Sequence, residues 1–138
     1  MRLAGAILLT LAAAAHGADD AAAVAYYTRT KAACSKVKDY QAFQTEVKGN
    51  YARLMPDTIS EFLPGHTKGD NAGYVYVNPV KWAAMPPKDQ IGYTDAAYMV
   101  EVCNPKTNKW PAMVIADWKS KRPIATRRGF EITGMFGN

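Results

Sequence analysis

Apolar residues recur in this chain at two periods, and the change of period predicts helices first and strands later. Over residues 21–34, Ala23, Tyr27, Thr30 and Cys34 fall at steps of four, three and four, which puts them on one helical face. Asp19 and Asp20 stand at the start of that run, where negative charge complements the helix dipole. Residues 40–54 give the clearest helical pattern. Tyr40, Phe43, Val47, Tyr51 and Leu54 share a face, with Gln41, Gln44, Glu46 and Lys48 between them. Asp39 is placed to cap this helix and Pro56 to end it, while Gly49 inside it costs about 1 kcal/mol relative to alanine.

Residues 57–63 fit either a short helix or a strand. Pro64 and Gly65 open a polar loop that runs from His66 to Gly73. Tyr74-Val75-Tyr76-Val77 then reads as a strand. Asn78 followed by Pro79 is an N-cap with proline at the first helical position, so a short helix is expected up to Met85, stopped by Pro86 and Pro87.

The remainder reads as strands. Tyr98, Val100 and Val102 alternate with Met99, Glu101 and Cys103. Asn104 to Lys109 is turn-forming. From Trp110 to Trp118, Met113 and Ile115 oppose Ala112, Val114 and Ala116, and Pro111 is confined to the strand's start or to an edge. Lys119 to Pro123 makes a second turn. Strands at Ile124 to Thr126 and Phe130 to Thr133 are broken near Gly129. Helices followed by antiparallel-type strands predict an α+β fold, with an N-terminal helical layer on a small, mostly antiparallel sheet.

The first 18 residues change the setting in which this domain is read. Arg2, a short apolar run from Leu3 to Ala15, the small residues Gly17 and Ala18, and then Asp19-Asp20 form the pattern of a cleaved secretory signal peptide. The expected organisation is a signal peptide over 1–17 and one α+β domain over 18–138, periplasmic or secreted. The apolar run is about a dozen residues against the roughly 20 needed to span a bilayer, and no later stretch is long enough. No transmembrane segment is therefore expected after cleavage. In an oxidising compartment the two cysteines, Cys34 and Cys103, are expected to pair in one disulfide. His66 is the one histidine left after cleavage, too few ligands for a Cys/His metal site, so no metal is expected.

Composition is that of a globular chain, 49% hydrophobic and 21% charged. The net charge of +5 is unevenly spread. Lys106, Lys109, Lys119, Lys121, Arg122, Arg127 and Arg128 crowd into 106–128 against Asp117 alone. Trp118 and Phe130 flank the charges. Basic groups beside aromatic rings suit anionic surfaces, and Arg suits bidentate contact with phosphate or carboxylate. Trp118, Lys119, Lys121, Arg122, Arg127 and Arg128 are therefore the candidate binding residues. The expected partner is an anionic envelope component or a protein, and nucleic acid is a poor fit for an exported chain. The plain alternative is a solvated basic edge that blocks sheet-to-sheet pairing.

Catalytic signals are weaker. No nucleophile-elbow glycines surround Ser60, and no phosphate-loop or dinucleotide motif is present, so no cofactor is expected. Paired-carboxylate chemistry leaves Glu101, or Glu61 with Asp70, as acid/base candidates for an enzyme on cell-wall or extracellular polymer. Burial in an apolar strand is what would tune Glu101; pairing with a neighbouring lysine or solvent exposure is the plainer expectation. Tyr74 and Tyr76 share a strand face, as a stacking platform or as surface caps of the core. A third class is an inhibitor or immunity-type protein that presents the loop 64–73. The leading expectation is a small exported binding or accessory protein acting through its basic C-terminal region.

Overall fold

The computed structural model describes residues 21–65, 72–106 and 111–134. The predicted signal peptide, His66, Asp70 and Lys109 lie outside the described residues. Helix α1 runs over 21–33 and tightens into a 3-10 turn at Cys34–Lys36. Helix α2 spans Tyr40–Leu54, and its expected cap is in place: the Asp39 carboxylate accepts the Ala42 N–H at 3.1 Å. The ambiguous stretch 57–63 divides into a turn at Asp57 and Thr58 and strand β1, Ile59–Leu63. Strand β2 is Gly73–Val77. Helix α3, Pro79–Ala84, starts as expected, with the Asn78 side chain accepting from the Val80 and Lys81 amides. Strands β3 (Ala112–Asp117), β4 (Pro123–Arg128) and β5 (Glu131–Gly134) complete the sheet.

The main correction lies between β2 and β3. The expected strand at Tyr98–Cys103 is the end of a long helix, α4, Pro87–Cys103. Pro86 closes α3, and Pro87 sits at the start of α4, where its missing N–H costs nothing. The two-residue alternation at 98–103 misled because this end of α4 is enclosed on nearly every side. Val100, Glu101 and Val102 are consecutive and all buried. A helix buried all round shows no polar face and loses the period that identifies it.

That helix changes the topology. The strand order is β1-β2-β3-β4-β5, and every neighbouring pair is antiparallel except β2 with β3. Parallel neighbours need a long crossover, and α3 with α4 supplies it. The architecture is α+β, with the N-terminal helices and α4 packed on one face of a mostly antiparallel sheet. Val75, Val77, Met113, Ile115 and Ala125 point into the core from the sheet. Val47, Tyr51, Ala97 and Tyr98 meet them from the helices. Among the described residues, no helix is long and apolar enough to cross a membrane.

Helix α4 is held to its neighbours by polar contacts along its length. Cys34 and Cys103 form the expected disulfide, with Cα atoms 5.4 Å apart. Lys31 Nζ donates to the Val102 carbonyl at 2.9 Å, a cation at a helix C-terminus. The Tyr40 hydroxyl donates to the Val100 carbonyl at 3.2 Å. The Tyr51 hydroxyl sits within one helical rung: it donates to the Tyr93 carbonyl at 2.7 Å and accepts the Ala97 N–H at 3.2 Å. The Tyr98 hydroxyl donates to the Pro111 carbonyl and accepts the Gly129 N–H, each at 2.8 Å.

Burial disfavours the ionised form of these phenols and outweighs the amides that donate to them. Tyr51 and Tyr98 are each pushed up to about 12, and Tyr40 is raised by burial and then by the charge of Glu101. Above the ordinary tyrosine value of 10 the unfolded chain loses protons that the folded one keeps, so stability falls as pH rises. Urea unfolding is expected to be steady at pH 8 to 9.5 and to weaken from pH 10 towards 12. A midpoint unchanged across that upper window would contradict the burial of these hydroxyls.

Candidate binding site

The basic segment does not form one patch. Its six candidate binding residues fall into three places, set by the alternation of β4. Trp118, Lys119, Lys121 and Arg122 belong to the β3–β4 turn at one end of the sheet. Arg128 ends β4, about 20 Å from Arg122 at the usual strand rise. Arg127 points the other way, into the core.

The turn is tightly built. Lys121 N–H donates to the Asp117 carbonyl at 2.8 Å, and Asp117 N–H to the Arg122 carbonyl at 2.9 Å. The Asp117 carboxylate accepts the Lys119 and Ser120 amides, an Asx-type closure. Trp118, half-buried, ties the turn to the end of β2 by donating its N–H to the Val77 carbonyl at 2.9 Å. Lys119, Lys121 and Arg122 are exposed, and none makes an ion pair among the described residues. The Lys121 ammonium lies 4.4 Å from the centre of the Tyr76 ring, which is stacked on Tyr74 at 5.9 Å. This is a cation–π contact.

Lys121 holds φ 66°, the left-handed region, and it is the one non-glycine residue to do so among those described. Glycine is the usual occupant of that position, and a β-carbon there costs roughly 1 kcal/mol. The two-residue β4–β5 loop uses glycine in the ordinary way: Gly129 has φ 63° and Phe130 does not share it, as in a type II′ hairpin.

Arg127 was expected among the exposed binding residues and instead is 0% exposed. All five guanidinium N–H donors are accounted for by acceptors in the fold. Nε donates to the Gly129 carbonyl at 2.7 Å. One terminal nitrogen reaches the Ile91 carbonyl at 2.9 Å and Thr94 Oγ1 at 2.7 Å. The other reaches the Tyr26 hydroxyl at 2.7 Å and Asp95 Oδ1 at 2.6 Å. The Tyr98 ring packs 4.6 Å away. The guanidinium thus joins α1, α4 and the β4–β5 turn, with no donor left for a partner. The signal was in the strand alternation: Ala125 faces the core, so Arg127, two residues on, does too. A strand that stops at Thr126 leaves Arg127 in a turn, whereas β4 runs on to Arg128.

Glu101 lies in α4, 1% exposed. Both carboxylate oxygens stand 3.1 Å from the Gly65 amide, which anchors the start of the β1–β2 connection to the helix. Glu61 is exposed on β1 and pairs in register with Tyr76, on the sheet face opposite Phe62 and Val75. The sheet therefore separates Glu61 from Glu101, and these two do not form an acid/base pair. No cluster of three metal-ligating side chains occurs among the described residues. Gly73 leaves room for the Glu101 carboxylate: a β-carbon on it would sit 2.6 Å from Glu101 Cδ. Gly73→Ala is expected to lower stability by about 1–3 kcal/mol by displacing the carboxylate or β2. Thermal melting checks this, and an unshifted transition would mean that Glu101 has room to move.

Compared with known protein families, curated proteins and solved structures, the chain matches none.

Proposed function

We propose that this is a small exported binding or accessory protein whose β3–β4 turn engages an anionic envelope component or the acidic surface of a protein partner. The observation that carries the reading is Lys121 in the left-handed position of the turn. Backbone strain of this kind persists where it has a use, and glycine would remove it. The lysine there adds a third cation to Lys119 and Arg122 on one loop, whose Asp117 carboxylate is taken up by the turn amides. Trp118, half-buried, supplies aromatic surface beside the charge, and the Lys121 ammonium covers the buried Tyr76 ring. The Cys34–Cys103 disulfide fits an oxidising compartment.

The test is charge reversal on the turn alone. Lys119→Glu, Lys121→Glu and Arg122→Glu together are expected to abolish salt-sensitive co-sedimentation with envelope fractions, with little change in melting temperature. Arg127 is left intact, because a glutamate there would face five acceptors and unfold the chain. Lys121→Gly is the neutral control. It relieves strain and loses one cation–π contact, each worth about 1 kcal/mol or less, so stability should be nearly constant while binding weakens. Binding unchanged by the triple reversal would overturn the proposal.

A further inference from the structure

Every amide from Asp117 to Arg122 in the β3–β4 turn is already used. Asp117 N–H donates to the Arg122 carbonyl, Lys121 N–H to the Asp117 carbonyl, and Trp118 N–H to the Val77 carbonyl. The Asp117 carboxylate takes the Lys119 and Ser120 amides, and Ser120 Oγ takes that of Arg122 at 3.2 Å. A single phosphate held tightly at a turn is cradled by backbone N–H groups. This turn has none to offer, so an anion meets it through side chains alone. Those side chains are separate cations on long stems, which suit an array of charges rather than one.

Apolar side chains at the same end of the sheet narrow that array further. Trp118 is bonded to the end of β2, and Pro79, Val80 and Lys81 start α3 just beyond it. Helix α2 ends here too. The Met55 carbonyl accepts the Thr58 and Ile59 amides, and the Thr58 carbonyl accepts the Asn78 N–H. Val80 and Leu54 are 77% and 66% exposed, the two most exposed large apolar side chains among the described residues. Lys81 follows one in sequence and Arg53 precedes the other, both exposed. These two join Lys119, Lys121 and Arg122, and none of the five is in an ion pair among the described residues. The carboxylates are fewer. Asp57 and Glu61 flank this end, and Asp117 lies inside the turn. Lys88 and Asp89 at the start of α4 offset one another.

We infer that this end of the sheet rests on a bilayer that carries anionic phospholipid, an inference that deepens the reading of the turn and depends on it. Headgroup phosphates meet the cations, and Val80 and Leu54 enter the boundary with the acyl chains. A soluble polyanion would satisfy the cations and leave both apolar side chains in water. Each lysine or arginine beside an anionic bilayer strengthens binding by about fivefold. Asp117 has two opposed effects: its acceptor oxygen builds the turn, and its charge repels the surface.

The experiment is co-sedimentation of the protein with vesicles of phosphatidylcholine alone and of phosphatidylcholine mixed equally with phosphatidylglycerol. Binding to the mixed vesicles and none to phosphatidylcholine is expected. Val80→Asn with Leu54→Asn, two exposed positions, leaves the charge unchanged and should weaken binding by about fivefold or more. Asp117→Asn keeps the acceptor oxygen and should strengthen it by about threefold or more. Circular dichroism and melting of each variant establish that it is folded. Vesicle binding unmoved by the apolar double variant or by Asp117→Asn would overturn the inference. The charge reversal of Lys119, Lys121 and Arg122 separates it from the reading on which it rests. If that variant loses envelope binding while the unaltered protein ignores the mixed vesicles, the turn binds an acidic protein and only the bilayer inference falls. If the reversal leaves binding to vesicles and to envelope fractions intact, both fall.

Discussion

Arg127→Ala is expected to destabilise the protein by about 3–5 kcal/mol, the largest effect of any single substitution proposed for this chain. The loss has two parts. Removing the side chain from a site with no solvent exposure leaves a cavity among Tyr98, Thr94 and the β4–β5 turn. It also strips the Gly129 carbonyl and the Thr94 hydroxyl of donors in a buried setting, at about 1–3 kcal/mol for each group that water does not reach. The ion pair itself contributes less than the burial of Arg127 suggests. Asp95 is 57% exposed, so its charge is screened and remains solvated when the arginine is gone. Asp95→Asn, which keeps an acceptor oxygen for the guanidinium, should accordingly cost only about 1 kcal/mol. Urea midpoints at constant m-value separate the two variants. A loss below about 1 kcal/mol for Arg127→Ala would mean that the guanidinium is not what joins α1 and α4 to the β4–β5 turn.

Reduction of the disulfide is the second large effect. Cys34 and Cys103 are 69 residues apart in sequence, and closing a loop of that size stabilises by roughly 4 kcal/mol through the entropy of the unfolded chain. The native geometry gives the bond a local role as well. It fixes the end of α1 to the end of α4, while Tyr26 fixes the middle of α1 to Asp95 and Arg127. The double variant Cys34→Ala with Cys103→Ala is expected to melt well below the oxidised protein. Amide exchange should quicken in α1 ahead of the sheet, since α1 then hangs on its tyrosine contact and on Lys31. Equal melting temperatures with and without a reductant would contradict this. If Arg127→Ala and the disulfide loss are combined, the loss of α1 protection should exceed the sum of the two separate losses, because each removes one of that helix's anchors.

Some features of this protein follow from local sequence alone. Asp39 and Asn78 cap their helices with side-chain oxygens a few bonds from the amides they serve, so no distant residue enters the decision. The face of α2 is written in its period as far as Tyr51, while Leu54 at its end is exposed. The period of β3 sets Met113 and Ile115 against Ala112 and Val114, but both sides are apolar, and only the packing makes Met113 and Ile115 the inner ones. With two cysteines and an oxidising destination expected, the disulfide has one possible pairing within the chain, and that pairing is present.

Other features were decided by tertiary structure. Helix α4 is enclosed by the sheet, by α2 and by the disulfide, so its buried residues run together at 100–102 and imitate a strand. Because it is a helix, β2 and β3 run parallel. The direction of Arg127 depends on where β4 ends and on which face of the sheet the helices cover. A stretch that reads as one positively charged segment is thereby divided between an exposed turn, the core and the far end of β4. Charge is a property of composition and is legible residue by residue. Its placement depends on a strand period of two, in which a single step reverses the face, and only the packed helices say which face is inside.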